Sequence, residues 1–197
     1  MKKQMSTRSM VIAALMTALV VILQYMGAFI KFGPFSISLV LIPIVIGTIT
    51  CGEYIGAWLG LVFGLVVLLT GDAAPFMAIN IPGTIITVLL KGAACGYVSG
   101  VVYKLLNKVL SKKLKQSSYA AAVCSALICP VVNTGVFLLG CFVFFMEAVS
   151  QWAVGSVSVG HYIIFVLVGG NFLFEMAVSV IFAPAMVHIL KVVNKGK

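Results

Sequence analysis

Long apolar runs leave this backbone few choices. From Val11 to Ile30 the run is broken only by Thr17, Gln24 and Tyr25. About 20 such residues cross the hydrocarbon core of a bilayer as a helix at ~1.5 Å rise per residue. Water is absent there, so a crossing segment must pair its own N–H and C=O groups, as a helix does. Of the 197 residues, 62% are hydrophobic and 9% charged. A soluble domain carries about 25% charged residues. No soluble core of this size hides so much apolar surface, so the chain is an integral, multi-pass membrane protein of the all-α class. The basic start at Lys2 and Lys3, followed by the first run, is the pattern of a signal peptide. That run is long enough to span, and no small-residue cleavage site follows it cleanly, so it is expected to stay as the first helix.

Six spans are expected, at about 9–28, 37–51, 54–70, 83–106, 118–146 and 161–190, forming one domain over 1–197. The second is short and holds Pro43, which predicts a kinked or broken helix. The outer connections are then 29–36, 71–82 and 147–160, each bearing Gly or Pro, and each is a candidate lid. In the second, Pro75 and Pro82 bound a stretch able to fold back.

The net charge of +9 is distributed unevenly. Lys2, Lys3 and Arg8 precede the first span; Lys104, Lys108, Lys112, Lys113 and Lys115 share one connection; Lys191, Lys195 and Lys197 end the chain. An even number of spans puts all of these on one side, the cytoplasmic side by the positive-inside rule, with both termini there. Lipid headgroups account for this charge, and no aromatic interleaving suggests nucleic acid. Cys51, Cys95, Cys124, Cys129 and Cys141 form no CxxC and are expected as free, mostly buried thiols. His161 and His188 stand far apart, so no metal site is expected.

Small residues recur every fourth position: Gly52, Gly56, Gly60 and Gly64; Gly92, Gly96 and Gly100; Ala14 and Ala18. Such ladders let another helix approach closely. For the glycines internal packing is expected; for the alanines the competing reading is a docking surface.

Two charges lie at bilayer depth, Lys91 and Glu175. A charge there costs roughly 2.5–3.5 kcal/mol on insertion scales, so it faces a cavity, a partner or a ligand. Asn171 and Glu175 are four apart and share a helix face. Asn133 and Thr134 follow Pro130, whose missing N–H frees a carbonyl. Three spans thus bring polar groups to overlapping depth. A structural Lys91–Glu175 pair, a ligand pocket and an acid–base site are all open readings. No GxSxG or HExxH occurs, which disfavours an enzyme. No GxxxxGK[ST] loop occurs either, so ATP hydrolysis would fall to another protein.

These features together resemble the S components of energy-coupling factor (ECF) transporters, the vitamin-binding subunits of bacterial importers. The resemblance rests on size, span number and three stretches: ALMTALVVIL at Ala14–Leu23, FGPFSISLVLIPIVIGTITCGEYIGAWLGLVFGLV at Phe32–Val66, and CPVVNTGVF at Cys129–Phe137. It implies a subunit of the plasma membrane that is not an enzyme and carries no cofactor. Such a subunit captures a vitamin outside and delivers it inward with a transmembrane coupling protein and two ATPases. By the same resemblance Ala14 and Ala18 contact the coupling protein. Lys91, Asn133, Thr134, Phe137, Asn171, Glu175 and Asn80 become substrate-binding candidates, and Lys31 and Phe32 lid candidates. Trp58 and Trp152 are not placed at pocket depth, which disfavours stacked-tryptophan recognition. A lysine in the pocket suits a small carboxylate such as pantothenate, with folate, riboflavin or pyridoxine as alternatives. The competing function is a stand-alone secondary carrier or channel with Lys91 and Glu175 as a proton or ion relay.

Overall fold

The apolar runs fold as helices. The structure, a computed structural model, describes residues 6–28, 31–32, 35–36, 39–111, 117–154 and 158–195, with backbone alone at 31–32, 35–36, 117, 187 and 189–195. In chain order the helices are α1 (Thr7–Ala28), α2 (Leu41–Cys51), α3 (Glu53–Thr70), α4 (Ala74–Met77), α5 (Ile81–Leu110), α6 (Ser117–Phe144), α7 (Met146–Trp152), α8 (Val159–His161) and α9 (Gly170–Lys195). A π-helical segment, Tyr162–Gly169, joins α8 to α9 without a break. Between α1 and α2 a two-residue antiparallel pair, β1 (Lys31–Phe32) with β2 (Phe35–Ser36), makes a small hairpin.

Among the described residues, five helices are long and apolar enough to cross a membrane: Thr7–Ala28, Glu53–Thr70, Ile81–Leu110, Ser118–Phe144 and Val159–Met186. The sixth expected span is α2, which has 11 residues. At ~1.5 Å per residue it covers about 16 Å, half a hydrocarbon core. Pro43 lies in its first turn, where no N–H is needed, so the proline starts this helix and does not break it. Eight of its 11 residues are buried, and it touches α1, α3, α5, α6 and α9. It is the hub of the bundle, built of Leu41, Ile44, Val45, Ile46 and Ile49.

Gly52, assigned by its spacing to the α3 ladder, does a different job. It sits at φ 102° between α2 and α3, a left-handed region that a side chain would strain. The rest of the ladder packs as expected. Gly56 and Gly60 on α3 lie against the backbone of Gly96 and Gly92 on α5, and Gly64 lies against Val88. A Cβ on Gly60 would overlap the Gly92 carbonyl. Absence of side chains brings these two backbones together, and close approach maximises dispersion where lipid supplies no hydrophobic drive.

The two expected connections around α4 and α7 are partly helical. Pro75 opens α4, whose Phe76 is buried. Phe76 meets the rings of Phe137, Phe145 and Trp152 edge-on, at centroid distances of 5.4, 5.1 and 5.4 Å. This aromatic cluster closes one end of the bundle. At the other end Lys104 pairs with Glu53 at 2.8 Å. Cys95, Cys129 and Cys141 are buried, but Cys51 is half-buried and Cys124 exposed, so the thiols are less uniformly sequestered than expected.

Candidate substrate-binding site

Helix α5 carries Lys91, whose ammonium lies between α3 and α6. The Lys91 ammonium lies 5.7 Å from the centroid of the Phe63 ring (α3) and 5.3 Å from that of Phe137 (α6). Aromatic faces attract a cation, by about 2 kcal/mol or more where water is excluded. No ion pair joins Lys91 to Glu175 or to another acid among the described residues.

Glu175 is satisfied elsewhere. Asn171, one turn earlier on α9, donates from Nδ2 to Oε1 at 3.1 Å. Asn133 of α6 donates to Oε2 at a longer 3.5 Å. The carboxylate is buried, at 1% exposure, and two amides hold it. Asn133 is buried too, and its Oδ1 finds no donor among the described residues. The three helices therefore converge on one polar centre in which the cation and the acid answer different groups.

Two cavities share this centre. The larger has a volume of about 60 Å3, and Lys91, Asn133, Phe137, Asn171 and Glu175 line it. Gln24, Asp72 and the apolar side chains of Phe63, Val67, Ala73, Phe76 and Val88 complete it. The smaller, about 30 Å3, lies toward the π-helical segment and adds Thr134, Leu167 and Val168 to the shared Lys91, Asn133, Phe137 and Asn171. Ligand sites for small molecules combine apolar walls with a few placed polar groups, and both cavities have such a lining, although both are far smaller than the ~300–1,000 Å3 of an occupied site. A π turn beside such a site is common, because the wider turn re-aims side chains.

Of the residues expected at the site, Lys91, Asn133, Thr134, Phe137, Asn171 and Glu175 line these cavities. Asn80 lines neither. Its Oδ1 accepts from the Gly83 N–H at 2.9 Å, which makes it the N-cap of α5, with Pro82 in the first turn. That role was legible: Asn followed two residues on by Pro before an apolar run marks a helix start. The side chains of Lys31 and Phe32 lie outside what the structure describes. Trp152, set aside by sequence position, touches Phe76 and so stands one ring behind the cavity wall.

Besides apolar wall residues, two polar cavity residues were missed. Gln24 interrupts the buried stripe Ala13, Val20, Gly27 of α1 and is itself 2% exposed. Its Nε2 donates to Asp72 Oδ2 at 2.7 Å. A polar residue in a buried stripe was the available signal for Gln24; Asp72, in the turn after α3, reads as an ordinary loop acid. Ala14 and Ala18 lie exposed on the opposite face of α1.

A model of the family described as "ECF transporter, substrate-specific component" matches residues 8–190. The chain belongs to this family. It is an ECF S component: a membrane-embedded transporter subunit, not an enzyme. Such subunits bind a small-molecule vitamin and work with a module of coupling protein and ATPases. The S component is 25% identical over 206 residues to the "Pantothenic acid transporter PanT" of Lactococcus lactis subsp. cremoris (strain MG1363), with 96% of each chain covered. A solved structure of ThiT from Listeria monocytogenes superposes with a TM-score of 0.70 at 22% identity, covering 94% of this S component and 96% of ThiT. At that identity the likeness establishes the fold.

Proposed function

We propose that this S component captures a small carboxylate vitamin, with pantothenate favoured, in the cavity between α3, α5, α6 and α9. One observation carries the reading. Lys91 sits between two aromatic rings without an acid partner among the described residues, while the acid nearest in depth, Glu175, is held by amides. Burying an ammonium is costly unless an anion answers it. A ligand carboxylate supplies that anion and binds more strongly at low dielectric than it would in water. The name of the Lactococcus lactis relative points to the same compound.

The same proposal fixes the topology. With α2 counted as a short, protein-shielded crossing, the single domain has six spans and both termini on one side. Irregular or short segments are tolerated at depth when other helices cover them, as here. The basic residues then mark the cytoplasmic end, near Lys104, and the cavity opens away from it. Lys31 and Phe32 belong to the covering hairpin. Ala14 and Ala18, on the exposed face of α1, contact the coupling protein that two ATPases drive.

The test is isothermal calorimetry on the purified full-length chain with a vitamin panel: pantothenate, folate, riboflavin and pyridoxine. Pantothenate is expected to bind. Lys91→Gln is expected to weaken it by about tenfold to a hundredfold, the worth of one hydrogen bond to a charged group. Unchanged affinity in that variant overturns the role of Lys91; binding of a different vitamin alone overturns the assignment of the substrate.

A further inference from the structure

The larger cavity has a second polar wall. Asp72, half-buried in the turn between α3 and α4, lines it, and so does Gln24 from α1. The Gln24 amide is almost wholly buried and donates to Asp72 Oδ2 at 2.7 Å; Thr70 Oγ1 lies 3.4 Å from the same oxygen. A glutamine at a core position of a lipid-embedded helix is expensive, and its amide is spent on that carboxylate. Gln24 thereby fixes which way Asp72 points.

A count of donors and acceptors around the cavity then constrains its ligand. Lys91 offers the positive charge. Against it stand three acceptor groups from three elements: Asp72, Glu175 and the undonated Oδ1 of Asn133. Among the described residues that line the cavity, one cation faces two carboxylates, which disfavours a ligand with two negative charges. They welcome a ligand with one anion and several N–H or O–H donors.

We infer that Asp72, oriented by Gln24, is the second recognition pole of this cavity, and that the ligand is a monocarboxylate whose hydroxyl groups donate to Asp72 while its carboxylate meets Lys91. This inference rests on the proposed function and names the substrate class for the same site. Lys91 reads the anion; Asp72 reads the hydroxyls; Gln24 is a positioning residue that acts through Asp72.

The experiment pairs variants with ligands. The full-length chain, purified in detergent, is titrated with three probes: pantothenate; pantothenol, in which an alcohol replaces the carboxylate; and the pantothenate analogue lacking both hydroxyls. In the native chain both altered probes are expected to bind about tenfold to a hundredfold more weakly than pantothenate, the range for hydrogen bonds to charged groups. Asp72→Asn, isosteric and still able to accept from Gln24, is expected to lose the preference for hydroxyls and keep the preference for the carboxylate. Lys91→Gln is expected to do the reverse. Gln24→Met keeps the side-chain length and is expected to follow Asp72→Asn with a smaller loss; thermal melts confirm that each variant is folded. If Asp72→Asn discriminates hydroxyls as the native chain does while pantothenate still binds, the second pole is wrong and the proposed function stands. If the native chain binds none of the three probes, both are wrong.

Discussion

Consider Gly60→Ala. The added Cβ would fall inside contact distance of the Gly92 carbonyl, a backbone group with no rotamer to escape into. The helices must therefore part. Gly56 against Gly96 and Gly64 against Val88 are rungs of the same seam, so separation at one loosens all three. A radial gap of 0.5–1 Å forfeits about a quarter to a half of each contact's dispersion energy. Overpacking of this kind costs about 1–3 kcal/mol, and an immovable obstacle places Gly60 at the upper end. The control is Gly135→Ala. It adds the same methyl to α6, where nothing lies within 4 Å of the new atom. There the helix-propensity gain of about 0.4–1 kcal/mol is expected to show, with opposite sign. Thermal unfolding of both variants in one detergent reads the difference. The seam also sets the spacing of Phe63 on α3 from Lys91 on α5, so Gly60→Ala is expected to weaken ligand binding as well. A Gly60→Ala protein that melts at or above the native temperature would refute the close-approach argument.

Other substitutions separate roles that sequence position confuses. Asn80→Ala should cost about 0.5–2 kcal/mol of stability through the lost α5 cap, with ligand affinity unchanged; Asn80→Ser should restore the stability, both read by melting and calorimetry. Lys104→Ala breaks an ion pair whose lysine is 70% exposed and screened by solvent, so chemical denaturation should show little or no change in stability. Ala14→Trp with Ala18→Trp should abolish co-purification with the coupling protein yet leave vitamin binding intact, because both residues lie on the exposed face of α1 and away from the cavity.

The sequence by itself determined the helices, because apolar runs of this length have no other way to satisfy their backbone in lipid. It also determined the α3–α5 seam, since glycine every fourth residue has one physical use at a helix interface, and it brought Lys91, Asn133, Thr134, Phe137, Asn171 and Glu175 to a common depth. Helix periodicity and depth are local properties of a chain. Partner choice is not. Whether Lys91 would answer Glu175 depended on which rotamers α5, α6 and α9 permit when packed, and packing gave Glu175 to two asparagines and Lys91 to two phenylalanines. Gln24 and Asp72 are 48 positions apart, on a helix and in a turn, and no period relates them. Likewise Gly52 continues a four-residue spacing yet serves a turn, because the spacing runs past the end of the helix that gives it meaning. Tertiary structure alone joined Lys91 to a second polar wall, by bringing Gln24 of α1 and Asp72 of the turn after α3 to the same cavity.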